Sequence, residues 1–358
     1  MHFVLIGMNH KSAPVEVREK FFLRPVEREL LLSELKCDPS VAGAIILSTC
    51  NRVEIYAELV DDNPQRLFQK LLKLKNIHLE NTDKTNFYFL SDEKAVSHLL
   101  RVVTSLDSLI IGEKQIIGQF KEAVALSCQN KMMTKDLNVL SDIAIRAGKK
   151  AQTETAIGKG GASISWAAVS MAQQVLGKLK GKSILILGAG KMANLAALHL
   201  SKKGIEKIYV MNRTQEKAEA IAKQMGGIST GYWQMKEILS QVDVCICSAG
   251  APHYLVEKEL VSEVMKIRKE KLLFIDISIP RNIHPSVTEV GGTILITIDE
   301  LGKVIESSAA VRFSAVTQVE DIISDKINQY NQKIKKIRMI ESGSFENDIV
   351  FAKVLRGA

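Results

Sequence analysis

Apolar positions along the chain fall into three successive rhythms. Between Met1 and about Leu90, short apolar runs (Val4–Ile6, Ala44–Leu47, Val53–Leu59) alternate with stretches of helical spacing (Glu27–Leu35, Leu67–Leu74). Strands repeat about every two residues and helices about every 3.6, so this mixture predicts an α+β domain. From Ser91 to about Leu179 the spacing is almost entirely helical. From Gly181 to Asp299 apolar strands and amphipathic helices alternate regularly, the pattern of a parallel doubly wound sheet. After Leu301 a last helical stretch runs almost to the end. The expected fold is therefore α/β, with an N-terminal α+β domain over 1–157, a doubly wound domain over 158–300 and a C-terminal long helix within 301–358. Gly158–Gly161 and Gly177–Gly181 are the candidate hinges.

Within the last segment Val316, Val319, Ile323, Ile327, Tyr330, Ile334 and Ile337 lie three or four apart. Such a seam suits pairing with a second copy of the chain, or packing on the chain's own domains. Composition narrows the classes. The 358 residues, 46% hydrophobic and 25% charged, suffice for two or three cores and are too apolar for a disordered chain. No apolar run approaches the roughly 20 residues of a membrane helix. Met1–Gly7 has no basic lead-in and no cleavage site, so it reads as a first strand and the expected compartment is the cytoplasm.

The five cysteines include no Cys-x-x-Cys pair, which argues against a disulfide framework and against zinc. Cys245 and Cys247 share one face of an apolar strand, where packing is their expected role. The seven histidines lack metal-ligand spacing, and no metal is expected. A net charge of +8 permits a polyanionic partner without identifying one.

One motif carries a cofactor. The strand Ser183–Leu187 runs into Gly188-Ala189-Gly190-Lys191-Met192-Ala193, and a helical pattern follows. In that strand–turn–helix context the first glycine makes the tight turn and the second lets backbone approach a pyrophosphate. The small third residue permits close helix–strand packing, and the helix N-terminus stabilises the negative charge. This predicts a Rossmann-type dinucleotide site. The next strand, Lys207 to Met211, is followed by Asn212-Arg213-Thr214 rather than by a carboxylate. Arg213 can pair with a 2′-phosphate, which favours NADPH; the alternative is a solvated helix-start arginine.

A second constellation lies near the N-terminus. Two strands flank the polar connection Ser48-Thr49-Cys50-Asn51-Arg52. Arg52 and local backbone N–H groups could favour a Cys50 thiolate, the nucleophilic form, although a half-buried bystander thiol fits the pattern as well. Lys94, His98, Arg101 and Ser105 share one polar helical stripe, on which His98 reads as an acid or base, or as a solvent-facing histidine. The segment Leu106 to Gln119 interleaves polar and apolar residues like the lining of a site.

Together these pieces resemble the glutamyl-tRNA reductase family. The resemblance is carried by Gly7–Pro14, Ser48–Glu54, Ser97–Val103, Leu106–Gln119, Thr153–Thr155, Gly188–Ala193, Asn212–Thr214, Asp276–Arg281 and Ile298–Leu301. It implies NADPH-dependent reduction of glutamyl-tRNA(Glu) to glutamate-1-semialdehyde, through a thioester on Cys50. It also implies a role in catalysis for His98, carboxylate binding by Arg52, and substrate contacts from Thr49, Asn51, Ser108, Glu113, Lys114, Gln115 and Gln119. A homodimer and contact with the downstream semialdehyde aminomutase are implied as well. The chain departs from the family at Lys114, where a proline is usual, and at Gln152, where a basic residue contributing an interdomain or tRNA contact is common. It also stops at Ala358, where the family usually continues into a helical dimerisation region. Two other readings remain: an NADP-dependent dehydrogenase of the shikimate-dehydrogenase kind, which gives Cys50 no task, and a non-enzymatic NADP- or tRNA-binding regulator.

Overall fold

A computed structural model describes residues 1–78, 83–158, 164–201, 203–301 and 313–341. Lys159–Gly161 of the first candidate hinge and the chain beyond Glu341 lie outside them. The elements begin with β1 (His2–Asn9), α1 (Val15–Phe21), α2 (Pro25–Lys36), β2 (Val41–Ser48), β3 (Arg52–Leu59), α3 (Gln65–Lys75) and β4 (Tyr88–Ser91). Four helices follow: α4 (Asp92–Val103), α5 (Gln115–Gln129), α6 (Lys135–Glu154) and α7 (Ile164–Leu176). Then come β5 (Ser183–Leu187), α8 (Lys191–Ser201), β6 (Lys207–Met211), α9 (Gln215–Met225), β7 (Ile228–Thr230) and α10 (Met235–Gln241). The last are β8 (Val244–Cys247), α11 (Lys258–Ile267), β9 (Leu272–Asp276), β10 (Thr293–Thr297) and α12 (Phe313–Glu341).

The chain divides into two compact units. The first holds the described parts of Met1–Ser12, Leu23–Gly161 and Arg312–Ala358, and the second those of Ala13–Phe22 and Ala162–Val311. In the first unit an antiparallel sheet runs in the order β2-β3-β1-β4. Every residue of β3 is buried, polar ones included. The clean alternation in its sequence therefore does not mark a solvated face: Arg52, Glu54 and Glu58 are enclosed by the elements packed on that side.

The helices α4, α5, α6 and α12 share one apolar core with this sheet. Val319, Ile322, Ile323, Tyr330 and Ile334 of α12 are buried in it beside Leu99, Val103, Leu140 and Ala147. Five side chains of that size stabilise the packing by on the order of 10 kcal/mol before chain entropy is subtracted. Of the two occupants open to the α12 seam, the structure selects the chain's own α4 and α6, and that stripe is not available to a second copy.

In the second unit all strands are parallel, in the order β10-β9-β8-β5-β6-β7. The order reverses beside β5, which creates the crevice where such sheets bind nucleotides. Cys245 and Cys247 are fully buried on β8, in the packing role expected of them. The segment Ala13–Phe22 belongs to this unit. Arg281 binds Glu16 at 2.8 Å and Glu19 at 2.7 Å, and the buried Arg18 pairs with Asp299.

Candidate active site

Cys50 sits at the tip of the short turn between β2 and β3. The turn is fixed from both sides: Thr49 N donates to Arg52 O at 2.8 Å, Asn51 N to Thr49 Oγ1 at 3.2 Å, and His10 N to Asn51 O at 3.0 Å. Thr49 and Asn51 are buried while Cys50 is half-buried. The thiol is thus held in a defined place on a strand-to-strand connection, where backbone pinning limits its motion.

Behind the turn, β3 presents Arg52, Glu54 and Tyr56 at alternate positions of one face. The carboxylate of Glu54 gathers four donors. Its Oε1 accepts from Arg52 Nη1 at 2.7 Å, Tyr88 Oη at 2.5 Å and His98 Nε2 at 2.7 Å, and its Oε2 from Tyr56 Oη at 2.7 Å. Burial would push this carboxyl up, but Arg52 and His98 outweigh it and hold Glu54 well below the usual carboxylate range. Burial likewise opposes the charge on Arg52, and Glu54 with Asp107 raises its pKa above the ordinary arginine value. Both tyrosines are pushed up, first by burial and then by the Glu54 charge, and stay protonated donors.

An ionised carboxylate only accepts hydrogen bonds, so Glu54 assigns the proton to His98 Nε2 and leaves Nδ1 as the nitrogen available for proton exchange in the neutral ring. His98 projects from α4, and its side chain is only 16% exposed, which removes the reading of a solvent-facing histidine.

Arg52 extends the network to the segment after α4. Its Nη2 donates to the carbonyl oxygen of Asp107 and to Asp107 Oδ2 at 3.2 Å. Asp107 also accepts from Lys11 Nζ at 2.6 Å and Asn9 Nδ2 at 3.1 Å. Burial pushes Asp107 up, while Arg52 and Lys11 prevail and hold it low. Ser108, next in the chain, is buried.

Glu113, Lys114, Gln115 and Gln119 lie on the entry to α5 and its first turns, with Gln115 and Gln119 one turn apart on one face. Lys114 is exposed at φ −73° and ψ −17°, a φ that proline also adopts, so its side chain does not disturb the backbone there. Gln152 is committed locally: its amide donates to Gly112 O at 3.1 Å and to Ser105 Oγ at 3.3 Å, and Ser105 Oγ in turn donates to Glu113 O at 2.9 Å. It thereby pins the segment that carries Asp107 and Ser108.

The dinucleotide motif occupies the crevice beside β5. Gly188 has φ +105°, donates to Met211 O at 2.7 Å, and a Cβ there would lie 2.5 Å from Ser248 O. At Gly190 a Cβ would meet nothing within 4 Å, leaving open space at the N-terminus of α8. A cleft of about 830 Å³ opens there, lined by Ala189, Gly190, Asn212, Arg213, Thr214 and Lys217 among others. Ala193 is fully buried against the sheet. The Met192 carbonyl accepts from Ser165 Oγ on α7 at 2.9 Å, and the Lys191 side chain lies outside the described residues. Asn212 donates to Thr214 O at 3.0 Å, shaping the bend at the end of β6. A backbone cradle with space at Gly190 and cations at Arg213 and Lys217 fits a phosphorylated dinucleotide. Among the described residues no group of three His, Cys, Asp or Glu could hold a metal ion, and no helix is long and apolar enough to cross a membrane.

Sequence reasoning missed the roles of Glu54, Tyr56, Tyr88, Asp107, Asn9 and Lys11. A signal for two of them was present, since Arg52, Glu54 and Tyr56 repeat with the strand period on one face. The others reach the site only through strand pairing and helix packing.

Comparisons with known proteins agree along the chain. Residues 6–155 match the family described as Glutamyl-tRNAGlu reductase, N-terminal domain, and residues 170–304 match Shikimate / quinate 5-dehydrogenase. The chain is 38% identical over 349 residues to a glutamyl-tRNA reductase of Thermodesulfovibrio yellowstonii, covering 95% of this chain and 81% of that protein. It is 40% identical over 334 residues to the one of Carboxydothermus hydrogenoformans, covering 92% and 74%. Among solved structures, the glutamyl-tRNA reductase from Methanopyrus kandleri matches with TM-score 0.53 and 29% identity, over 95% of this chain and 82% of that one.

Proposed function

The chain belongs to the glutamyl-tRNA reductase family, and from that membership we propose how its residues divide the work. The reaction is the NADPH-dependent reduction of glutamyl-tRNA(Glu) to glutamate-1-semialdehyde, the first step of tetrapyrrole biosynthesis. The observation that carries the division is the pinned turn bearing Cys50, backed by the Arg52–Glu54–His98 network.

Cys50 Sγ, as the thiolate, attacks the glutamyl carbonyl carbon. A C–S bond forms, the ester C–O bond breaks, and the tRNA ribose oxygen leaves with a proton. His98 Nδ1 is the group proposed to take that proton from the Cys50 thiol as the thiolate forms and to return it to the leaving oxygen. A thioester is more electrophilic than an ester, which makes the following reduction easier. The chemistry that bound NADPH supplies is one hydride to the acyl carbon, giving the aldehyde, NADP⁺ and the Cys50 thiolate. Gly188, Gly190, Asn212, Arg213 and Thr214 would hold the dinucleotide. Arg52 is the proposed holder of the substrate carboxylate on the family resemblance alone; its guanidinium is buried and engaged by Glu54 and Asp107. Thr49, Asn51, Ser108, Glu113, Lys114, Gln115 and Gln119 complete the proposed pocket.

The same reading places the reaction in the cytoplasm, with a homodimer as the working form and the semialdehyde aminomutase as receiver of the reactive aldehyde. The family resemblance supports these points, and the filled α12 stripe leaves dimer formation to other surfaces.

The deciding experiment incubates the protein with labelled glutamyl-tRNA in the absence of NADPH. Wild type is expected to retain glutamate in a hydroxylamine-sensitive bond, while Cys50→Ala retains none and still binds NADPH. Full reductase activity in Cys50→Ala overturns the mechanism.

A further inference from the structure

Trp233 is 84% exposed, more than any other large apolar side chain among the described residues, and neither β7 nor α10 beside it provides cover. An indole left in water forgoes a large burial gain, so a surface position on the rim of a cleft points to a ligand that covers it. The indole belongs to the lining of the cleft that begins at Gly190 and contains Arg213 and Lys217. Its six-membered ring also lies against Gly231, where a Cβ would come within 2.0 Å of it, so the backbone has made room for the ring. Tyr232 and Arg213 line the same cleft.

We propose that Trp233 forms an adenine-stacking subsite at the outer end of this cleft. The pyrophosphate end of a dinucleotide is fixed by the glycine turn, and the adenosine half lies over the strands of the first half-sheet, here β5, β6 and β7. Arg213 and Lys217 then meet the 2′-phosphate, and the adenine reaches the indole, whose flat apolar face matches the π surface of a purine. The subsite rests on the NADPH reading and specifies which side chain beyond the glycine and Asn-Arg-Thr motifs recognises the nucleotide.

The chain contains two tryptophans, so Trp166→Phe leaves Trp233 as the sole indole emitter. Adenosine 2′,5′-bisphosphate, which has the adenine and 2′-phosphate but no nicotinamide, is expected to quench that emission saturably. Trp233→Ala is expected to weaken calorimetric binding of this probe and of NADPH by roughly tenfold, with most of the loss restored in Trp233→Tyr. Emission that does not respond, or Trp233→Ala binding equal to wild type, overturns the subsite; if NADPH still binds, the cofactor reading stands. Absence of NADPH binding in the wild-type protein overturns both.

Discussion

Oε1 of Glu54 lies 2.7 Å from Nε2 of His98, joining the middle of a buried strand to a helix 44 positions further along the chain. The carboxylate is ionised because Arg52 neutralises it, and it is oriented because two tyrosines and the arginine fill its remaining acceptor positions. The catalytic role proposed for His98 therefore depends on Glu54, which acts through the imidazole. Glu54 is a positioning residue.

Replacing that anion with a neutral amide tests the dependence. Glu54→Gln can donate as well as accept, so the His98 tautomer is no longer dictated. The expected result is a kcat lower by on the order of 10²-fold, with little change in KM and an altered pH–rate profile. A kcat and pH profile equal to wild type would show that Glu54 does not act through His98.

Arg52 supports the same network from the opposite side. Removing its guanidinium in Arg52→Ala takes the buried arginine counter-charge from Glu54 and leaves Asp107 with Lys11 alone. That should cost about 3–5 kcal/mol of unfolding free energy, in addition to the loss of activity. Urea denaturation near neutral pH reads the effect. A loss under about 1 kcal/mol would mean that the pair is replaced by water at little cost.

The two motif glycines should fail differently. Gly188→Ala forces a side chain into a φ of +105° and against the Ser248 carbonyl, so it should lower the melting temperature through about 1–3 kcal/mol of strain. Gly190→Ala has open space, so its melting temperature should match wild type while NADPH affinity falls. Unchanged NADPH binding in Gly190→Ala would contradict close approach of a pyrophosphate at that position.

Arg213→Asp is expected to narrow or reverse a preference for NADPH over NADH. The lost 2′-phosphate contact should cost about 1.5–3 kcal/mol, the range for charge-assisted hydrogen bonds. Steady-state kinetics with both cofactors supply the readout, and equal catalytic efficiency in the wild-type protein would refute the assignment.

Acid stability has a local contribution at the start of α2. Burial pushes Glu27 up, but hydrogen bonds from Arg24 and Lys75 prevail and lower it from 4.5 to about 2. Its Oε2 accepts from Arg24 N at 2.8 Å and its Oε1 from Lys75 Nζ at 2.9 Å, capping α2 and tying it to α3. A depressed folded-state value means that this stabilisation is fully present above the unfolded pKa and is lost as pH falls from about 4.5 toward 2. Wild type should therefore be more stable than Glu27→Gln at pH 6, with the difference shrinking steadily through that window in urea titrations. A difference independent of pH would locate the effect elsewhere.

What the chain determines locally could be read directly from it. Ser183–Leu187, the glycine turn and Lys207–Met211 appear in the structure with the bounds that their residues imply, because a buried parallel strand and its turn are set by neighbours in sequence. The Thr49–Arg52 turn was visible for the same reason, as a polar connection between two apolar runs. What lay across the sheet was not. β4 has only four residues, each half-buried, too short to show a period, yet it places Tyr88 on Glu54. The face of β3 holding Arg52 and Glu54 reads as solvated until helices from 40 to 280 residues away close over it. The α12 seam has the spacing for either a partner or its own core, and only packing on α4 and α6 decided between them. Periodicity reports which residues share a face. Whether that face meets water, another helix or a second chain depends on contacts between distant segments, and those exist only in the folded molecule.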